Sequence, residues 1–167
     1  DSLIQRAKRG DSKAFEQIYR WFERPIYTLG LRLCGQPTEA QEVLQDSMIK
    51  VMTKIGEFKG QSPFWGWLRQ IAVNEALMRL RKTAKTYGDE DVYEMDIADS
   101  KCQLPMQAAE TSQMLAAMQQ LPDSTRSVLW LYHVEGFKHE EIAQQMGKST
   151  SFSKSQLARG TQKLREL

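Results

Sequence analysis

The sequence has few of the residues from which metal centres and disulfide frameworks are built, and none of the long apolar runs that cross membranes. It contains two cysteines and two histidines, and Cys34 and Cys102 lie far apart without metal-type spacing. It also lacks a glycine-rich phosphate loop and a nucleophile motif. This cysteine usage fits a reducing compartment. We therefore expect a cytoplasmic protein that is not an enzyme, has no membrane span and needs no metal or cofactor.

An excess of charge of one sign is missing as well. The chain has 23 basic and 21 acidic side chains, which gives a formal net charge of +2. Such a balance does not by itself indicate nucleic-acid binding, so the distribution of the charges has to carry that argument. Hydrophobic residues make up 41% and charged residues 26%, as in an ordinary globular protein. The 167 residues suffice for one domain or two small ones.

Apolar residues at helical spacing run through the first part of the chain. Asp11 follows a glycine turn and can cap a long second helix, inside which Pro25 predicts a kink or an interruption. Thr38 and Gln41 form a capping-box pattern that predicts the start of a third helix. We expect the buried face of that helix to include Met52.

The most informative part of the chain runs from Phe58 to Lys82. It opens with a loop, and Ser62 followed by Pro63 predicts the start of a helix there. This helix combines rings that can stack on bases, an amide that can read a base edge and cations that can hold phosphates. The alternative is a core helix with tryptophans inside and arginines outside. The residues concerned are Phe58, Lys59, Trp65, Arg69, Asn74, Arg79 and Arg81.

The helical period is lost from Thr83 to Gln107, where acidic residues dominate. We interpret this stretch as a flexible linker, with mimicry of nucleic acid that shields a basic face as the alternative. The sequence therefore predicts an all-α protein of two small helical domains, at residues 1–82 and 108–167, joined by an acidic linker at residues 83–107.

The end of the chain has the pattern of a helix-turn-helix. Ala143, Gly147 and Leu157 have the spacing at which a small residue lies in the helix crossing, a glycine makes the turn and a leucine anchors the second helix. Ser149 or Thr150 can cap that second helix. A generic helical hairpin is the alternative. The groups expected on its exposed, DNA-facing side are Ser151, Ser153, Lys154, Ser155, Gln156, Arg159 and Lys163.

The two halves together resemble the extracytoplasmic-function (ECF) group of bacterial RNA polymerase sigma factors, in the sigma-70 family. The first half resembles their region two through EFKGQSPFWGWLRQIAVNEALMRLR, and the second resembles their region four through LPDSTRSVLWLYHVEGFKHEEIAQQMG. The resemblance covers nearly the whole chain apart from the linker. It implies a helical initiation subunit that binds core RNA polymerase and promoter DNA and is controlled by an anti-sigma factor or another regulator.

The resemblance also implies roles for individual residues. Phe58 would line the pocket of a flipped base and Asn74 would contact that base, while the strand backbone would be held by Lys59, Arg69, Arg79 and Arg81. The face that docks on the coiled coil of the largest polymerase subunit would include Glu42, Gln45, Asp46 and Lys50. The upstream element would be read by Lys154, Ser155, Ala158 and Arg159.

The chain departs from the family pattern in two places. Where the family has an acidic cluster of the type Asp-Ala-Glu-Asp, this chain has Glu39-Ala40-Gln41-Glu42. The recognition helix opens on Ser149-Thr150-Ser151-Phe152-Ser153 instead of a proline-valine-glycine-threonine-valine type of sequence, which leaves Phe152 either in the core or facing DNA.

The alternative function is that of a stand-alone regulator that binds duplex DNA through the helix-turn-helix without polymerase.

Overall fold

The computed structural model describes residues 2–87 and 111–166, with side chains for residues 3–82 and 113–166. Every regular element in these two ranges is a helix, which confirms the predicted all-α fold. The chain divides into two units, Asp1–Arg79 and Leu80–Leu167. Most of the predicted linker lies outside the described residues. Within the described part of the chain, no helix is both long enough and apolar enough to span a membrane.

Four helices build the first unit, and the last of them continues past Arg79 into the second unit. They are α1 (Ser2–Lys8), α2 (Ser12–Cys34), α3 (Pro37–Lys54) and α4 (Phe64–Tyr87), with a 3-10 turn at Ile55–Glu57. The helix predicted to end near residue 82 is α4, which extends to Tyr87 and is thus longer than predicted by more than a turn. The fully buried apolar side chains of this unit include Ile18, Ile26, Leu33, Val43, Val51, Leu68 and Leu77.

The starts of α2 and α3 test the helix signals of the sequence. The Asp11 carboxylate accepts hydrogen bonds from the backbone N–H groups of Lys13 and Ala14, so the predicted cap of α2 is confirmed. In α3 the first helical residue is Pro37, which needs no hydrogen-bond acceptor for its missing N–H. The predicted capping box at Thr38 is wrong, because the helix has already begun there.

Two close contacts hold α2 against its neighbours. A side-chain carbon added at Gly30 would lie 3.1 Å from Val43 Cβ, so the glycine allows α2 and α3 to approach closely. Cys34 is buried, with its Sγ 3.6 Å from the carbonyl oxygen of Ala76 on α4. The interruption of α2 predicted from Pro25 does not occur, because packing along the helix compensates for one lost backbone hydrogen bond.

The second unit contains α5 (Thr111–Met118), α6 (Asp123–His133), α7 (His139–Met146) and α8 (Thr150–Arg165). Gly147 ends α7 with φ at 68°, a left-handed conformation that favours glycine, and the chain turns there into α8. The Ser149 hydroxyl accepts a hydrogen bond from the Phe152 N–H at 3.1 Å and caps α8. The predicted helix-turn-helix is therefore formed by α7 and α8. The core of the second unit includes Val128, Leu129, Leu131, Ile142 and Leu157.

Candidate nucleic-acid interface

Five aromatic rings pack together at the start of α4. Phe58, Phe64 and Trp67 lie with ring centroids 5.3 to 5.5 Å apart. Phe22 of α2 extends this set, because its ring lies 5.5 Å from Phe64 and stacks on Trp65 at 5.8 Å. Each such pair contributes roughly 0.5–1.5 kcal/mol beyond the area it buries. The rings expected to stack on bases are thus packed largely against other aromatic rings.

Phe58 lies inside this cluster and is only 8% exposed. Its N–H donates to the carbonyl oxygen of Ile55 at 3.1 Å, and its own carbonyl accepts a hydrogen bond from Lys8 Nζ at 2.5 Å. The ring expected to line an open base pocket is therefore packed beneath the loop, since Phe64 and Trp67 contact it. Sequence reasoning missed Lys8, because nothing local links it to a residue 50 positions away.

The loop that follows Phe58 is open to solvent. All five of its residues, from Lys59 to Pro63, are exposed, and Gly60 takes a φ of 74° that favours glycine. Pro63 precedes the first helical residue, and its carbonyl oxygen accepts the Gly66 N–H at 3.1 Å. Lys59 is therefore an exposed cation at the start of this loop.

On α4 the predicted strand-binding residues differ in their exposure. Asn74 and Arg81 are exposed, whereas Trp65 and Arg69 are half-buried. The exposed amide of Asn74 has the accessibility that contact with a base requires. Trp65 offers less surface than expected, because one face of its ring lies parallel to Phe22.

Arg79 interacts with carboxylates of α3 in the same chain. Its Nε donates to the Glu39 carboxylate at 2.6 Å, and its guanidinium also lies 3.6 Å from Asp46. The hydrogen bond with Glu39 raises the pKa of Arg79, and the negative charges of Glu39, Glu42 and Asp46 act in the same direction. In this structure the Arg79 side chain therefore ties α4 to α3, and its contact with the DNA backbone stays a prediction.

A second ion pair joins the same two helices. Lys50 of α3 pairs with Glu75 of α4, a carboxylate that is only 3% exposed. Lys50 and Asp46, two of the four residues predicted to contact polymerase, thus interact with α4. The other two, Glu42 and Gln45, are exposed on the outer face of α3.

That outer face also carries two exposed apolar side chains. Ile49 and Met52 are each 59% exposed and follow Gln45 at helical spacing. The prediction that Met52 lies in the core is wrong. It failed because α3 has apolar residues on both faces, and the helical period alone does not tell the buried face from the exposed one. Exposed apolar groups beside polar ones are typical of a surface that binds another protein.

The recognition helix α8 buries three of the polar side chains expected to face DNA. Ser153 Oγ lies 2.8 Å from His139 Nδ1, and Gln156 Oε1 accepts a hydrogen bond from Thr125 Oγ1 at 2.5 Å. Both side chains are therefore satisfied by α6 and α7, as buried polar groups require. Ser155 is also fully buried. The expectation that these three residues lie on an exposed face is wrong.

The outward groups of α8 are fewer than predicted. Ser151 is exposed, and Lys154, Ala158 and Arg159 are half-buried. Phe152 is 4% exposed, with Lys148 Nζ 5.4 Å from its ring centroid, so this residue belongs to the core. The described residues contain no group of three or more histidine, cysteine, aspartate or glutamate side chains that could hold a metal.

Comparison with known proteins gives these surfaces a context. Residues 18–86 match the family model of sigma-70 region 2, and residues 111–164 match that of sigma-70 region 4. The RNA polymerase sigma-H factor of Pseudomonas aeruginosa is 33% identical over 152 residues, which cover 84% of this chain and 79% of that protein. The ECF RNA polymerase sigma factor SigW of Bacillus subtilis is 29% identical over 98% of this chain and 93% of its own length.

A solved structure has the same fold. It is that of the sigma factor RpoE in complex with the anti-sigma factor NepR from Bartonella quintana, with a TM-score of 0.58 and 23% identity over 92% of this chain and 96% of that one. Both helical units thus match sigma-factor regions in the order in which the sequence predicted them. The chain belongs to the sigma-70 family of RNA polymerase sigma factors, in its extracytoplasmic-function group.

Proposed function

We propose that this sigma factor acts in the bacterial cytoplasm by docking on core RNA polymerase, recognising two promoter elements and opening the downstream one. The observation that carries the proposal is the pairing of two different surfaces on one chain. One is the exposed loop and α4 surface with Lys59, Asn74 and Arg81, and the other is the helix-turn-helix with Ser151, Lys154 and Arg159. An initiation subunit needs both, because one has to hold unstacked bases while the other contacts duplex DNA.

In the downstream surface, Asn74 contacts the extruded base and Lys59 and Arg81 hold the strand backbone. Extrusion of a base costs a few kcal/mol, which an amide hydrogen bond and phosphate contacts can offset. Arg69 and Trp65 contribute at the margin of this surface, since both are half-buried.

The polymerase contact is the outer face of α3. Glu42 and Gln45 supply its polar groups, and Ile49 and Met52 supply an apolar centre of the kind that stable interfaces bury. Asp46 and Lys50 of α3 lie beside this face and form ion pairs with α4. An anti-sigma factor, such as the one bound to the structural relative from Bartonella quintana, would hold the protein inactive by covering one of these surfaces.

The test is run-off transcription with core polymerase over a genomic promoter library. We expect transcripts that depend on this chain, and we expect Asn74→Ala to reduce promoter opening about tenfold while polymerase binding stays within twofold of wild type. A matched control is Gln70→Ala, which removes another exposed amide from α4. If the protein shifts duplex DNA without polymerase and yields no transcript, it is a stand-alone regulator and the proposal fails.

A further inference from the structure

We propose that Lys8, at the end of α1, is a positioning residue that holds the loop of residues 58–63 in the shape that captures an unstacked base. The inference rests on the proposed function and adds to it a residue that lies in a different helix from the DNA-binding surface. It also changes the role of Phe58, which becomes the anchor of the loop instead of the ring that a base touches.

Lys8 makes two contacts with Phe58. Its ammonium group donates to the backbone carbonyl of Phe58 at 2.5 Å, and it lies 5.7 Å from the centroid of the Phe58 ring. A hydrogen bond from an ionised donor is roughly twice as strong as a neutral one, and the ring face adds a cation–π attraction. Lys8 is half-buried, so its hydrogen bond to the Phe58 carbonyl is partly shielded from water.

The backbone N–H, the carbonyl and the ring of Phe58 each have a partner. The N–H is bonded to the Ile55 carbonyl at 3.1 Å, the carbonyl is bonded to Lys8, and the ring packs on Phe64 and Trp67. The loop therefore leaves the first unit from a fixed point. All five residues after Phe58 are exposed, so their direction is set by this anchor and by the start of α4.

Anchoring at Phe58 orders the loop before a base arrives. A loop that is ordered before binding does not have to be ordered at the expense of affinity when the strand arrives. Removal of the Lys8 ammonium leaves the Phe58 carbonyl without this donor and frees the peptide bond between Phe58 and Lys59 to reorient. The position of Lys59 relative to Asn74 then becomes variable, and selection of the correct base weakens.

The experiment uses the full chain bound to core polymerase, on a promoter from the run-off screen with 2-aminopurine at the extruded position. We expect Lys8→Met to slow the fluorescence rise on opening about tenfold, which corresponds to one charge-assisted hydrogen bond. Lys8→Arg keeps a cationic donor and should retain at least half of the wild-type rate. Lys13→Met is the control, because Lys13 is an exposed lysine at the start of α2.

A second readout separates positioning from a purely structural role. On a pre-opened template carrying each of the four bases at the extruded position, wild type should prefer one base, and Lys8→Met should lose most of that preference with its melting temperature unchanged. A lower melting temperature with an intact base preference overturns the inference. Lys8→Gln, a neutral donor, is the second variant, and if neither it nor Lys8→Met folds, Lys8 is a stability residue and the inference is overturned.

The failure of this inference is distinct from the failure of the proposed function. If wild type gives no transcript with core polymerase from any promoter, the proposed function is wrong. If wild type opens a promoter and Lys8→Met opens it at the same rate with the same base preference, the proposed function stands and only the role of Lys8 is rejected.

Discussion

Glu75 is a buried carboxylate whose ion-pair partner, Lys50, is partly exposed. We expect Lys50→Met to lower the free energy of unfolding by about 2 kcal/mol, less than for a fully buried pair because water still reaches the lysine. The variant Lys50→Met with Glu75→Leu should regain most of that loss, since no unpaired charge remains. Urea denaturation checks both values. Lys54→Met, at an exposed lysine of the same helix, should be neutral, and an equally neutral Lys50→Met would contradict the interpretation.

His133 makes the stability of the second unit dependent on pH. Burial lowers the pKa of its imidazole below the ordinary value of 6.5, because the charged form loses hydration. The unfolded chain therefore binds the proton more readily, and stability should fall as the pH drops below about 6.5. Thermal unfolding at about pH 7.5 and about pH 5.5 measures the difference. His133→Gln should reduce that difference, and a variant with the full wild-type pH dependence would contradict the assignment.

At the scale of helices, one glycine determines how α8 packs on α6. A side-chain carbon at Gly160 would lie 2.5 Å from Leu129 Cδ1 and 2.9 Å from Thr125 Cγ2. We expect Gly160→Ala to destabilise the protein by about 2 kcal/mol, because this overpacking outweighs the better helix propensity of alanine. Thermal or urea unfolding measures the change.

Gly66→Ala on α4 is the matched control, since an added carbon there has no atom within 4 Å. It should be neutral or stabilising by up to about 1 kcal/mol. If Gly160→Ala is as well tolerated as Gly66→Ala, the close approach of α8 to α6 is not the constraint described here.

The helices also show how far local signals reach. The cap at Asp11 and the turn at Gly147 were predicted because each depends on a few neighbouring residues. The start of α3 was misplaced, because both Pro37 and Thr38 suit a helix start and sequence alone did not rank them. The end of α4 was placed too early, since the helical period of the apolar residues is lost from Thr83 onward.

At the scale of the whole molecule, the two surfaces proposed to contact DNA include Asn74 and Arg159, which belong to separate units of the chain. Substitutions at distant sites without shared partners usually add, to within about 0.5 kcal/mol. We therefore expect the losses of promoter-binding free energy in Asn74→Ala and Arg159→Ala to sum in the double variant. Holoenzyme binding to a fluorescent promoter at fixed salt measures all three. A double variant no weaker than either single one would show that the two surfaces do not act on the same promoter.

The sequence by itself determined the helical fold, the helix-turn-helix and the family, because periodicity, caps, glycine turns and contiguous motifs are written in neighbouring residues. Only the tertiary structure decided which of the candidate residues are available to DNA. It buried Ser153 and Gln156, paired Arg79 with Glu39 and exposed Met52. These outcomes depend on partners that come from other helices, which the neighbouring residues in the sequence do not identify.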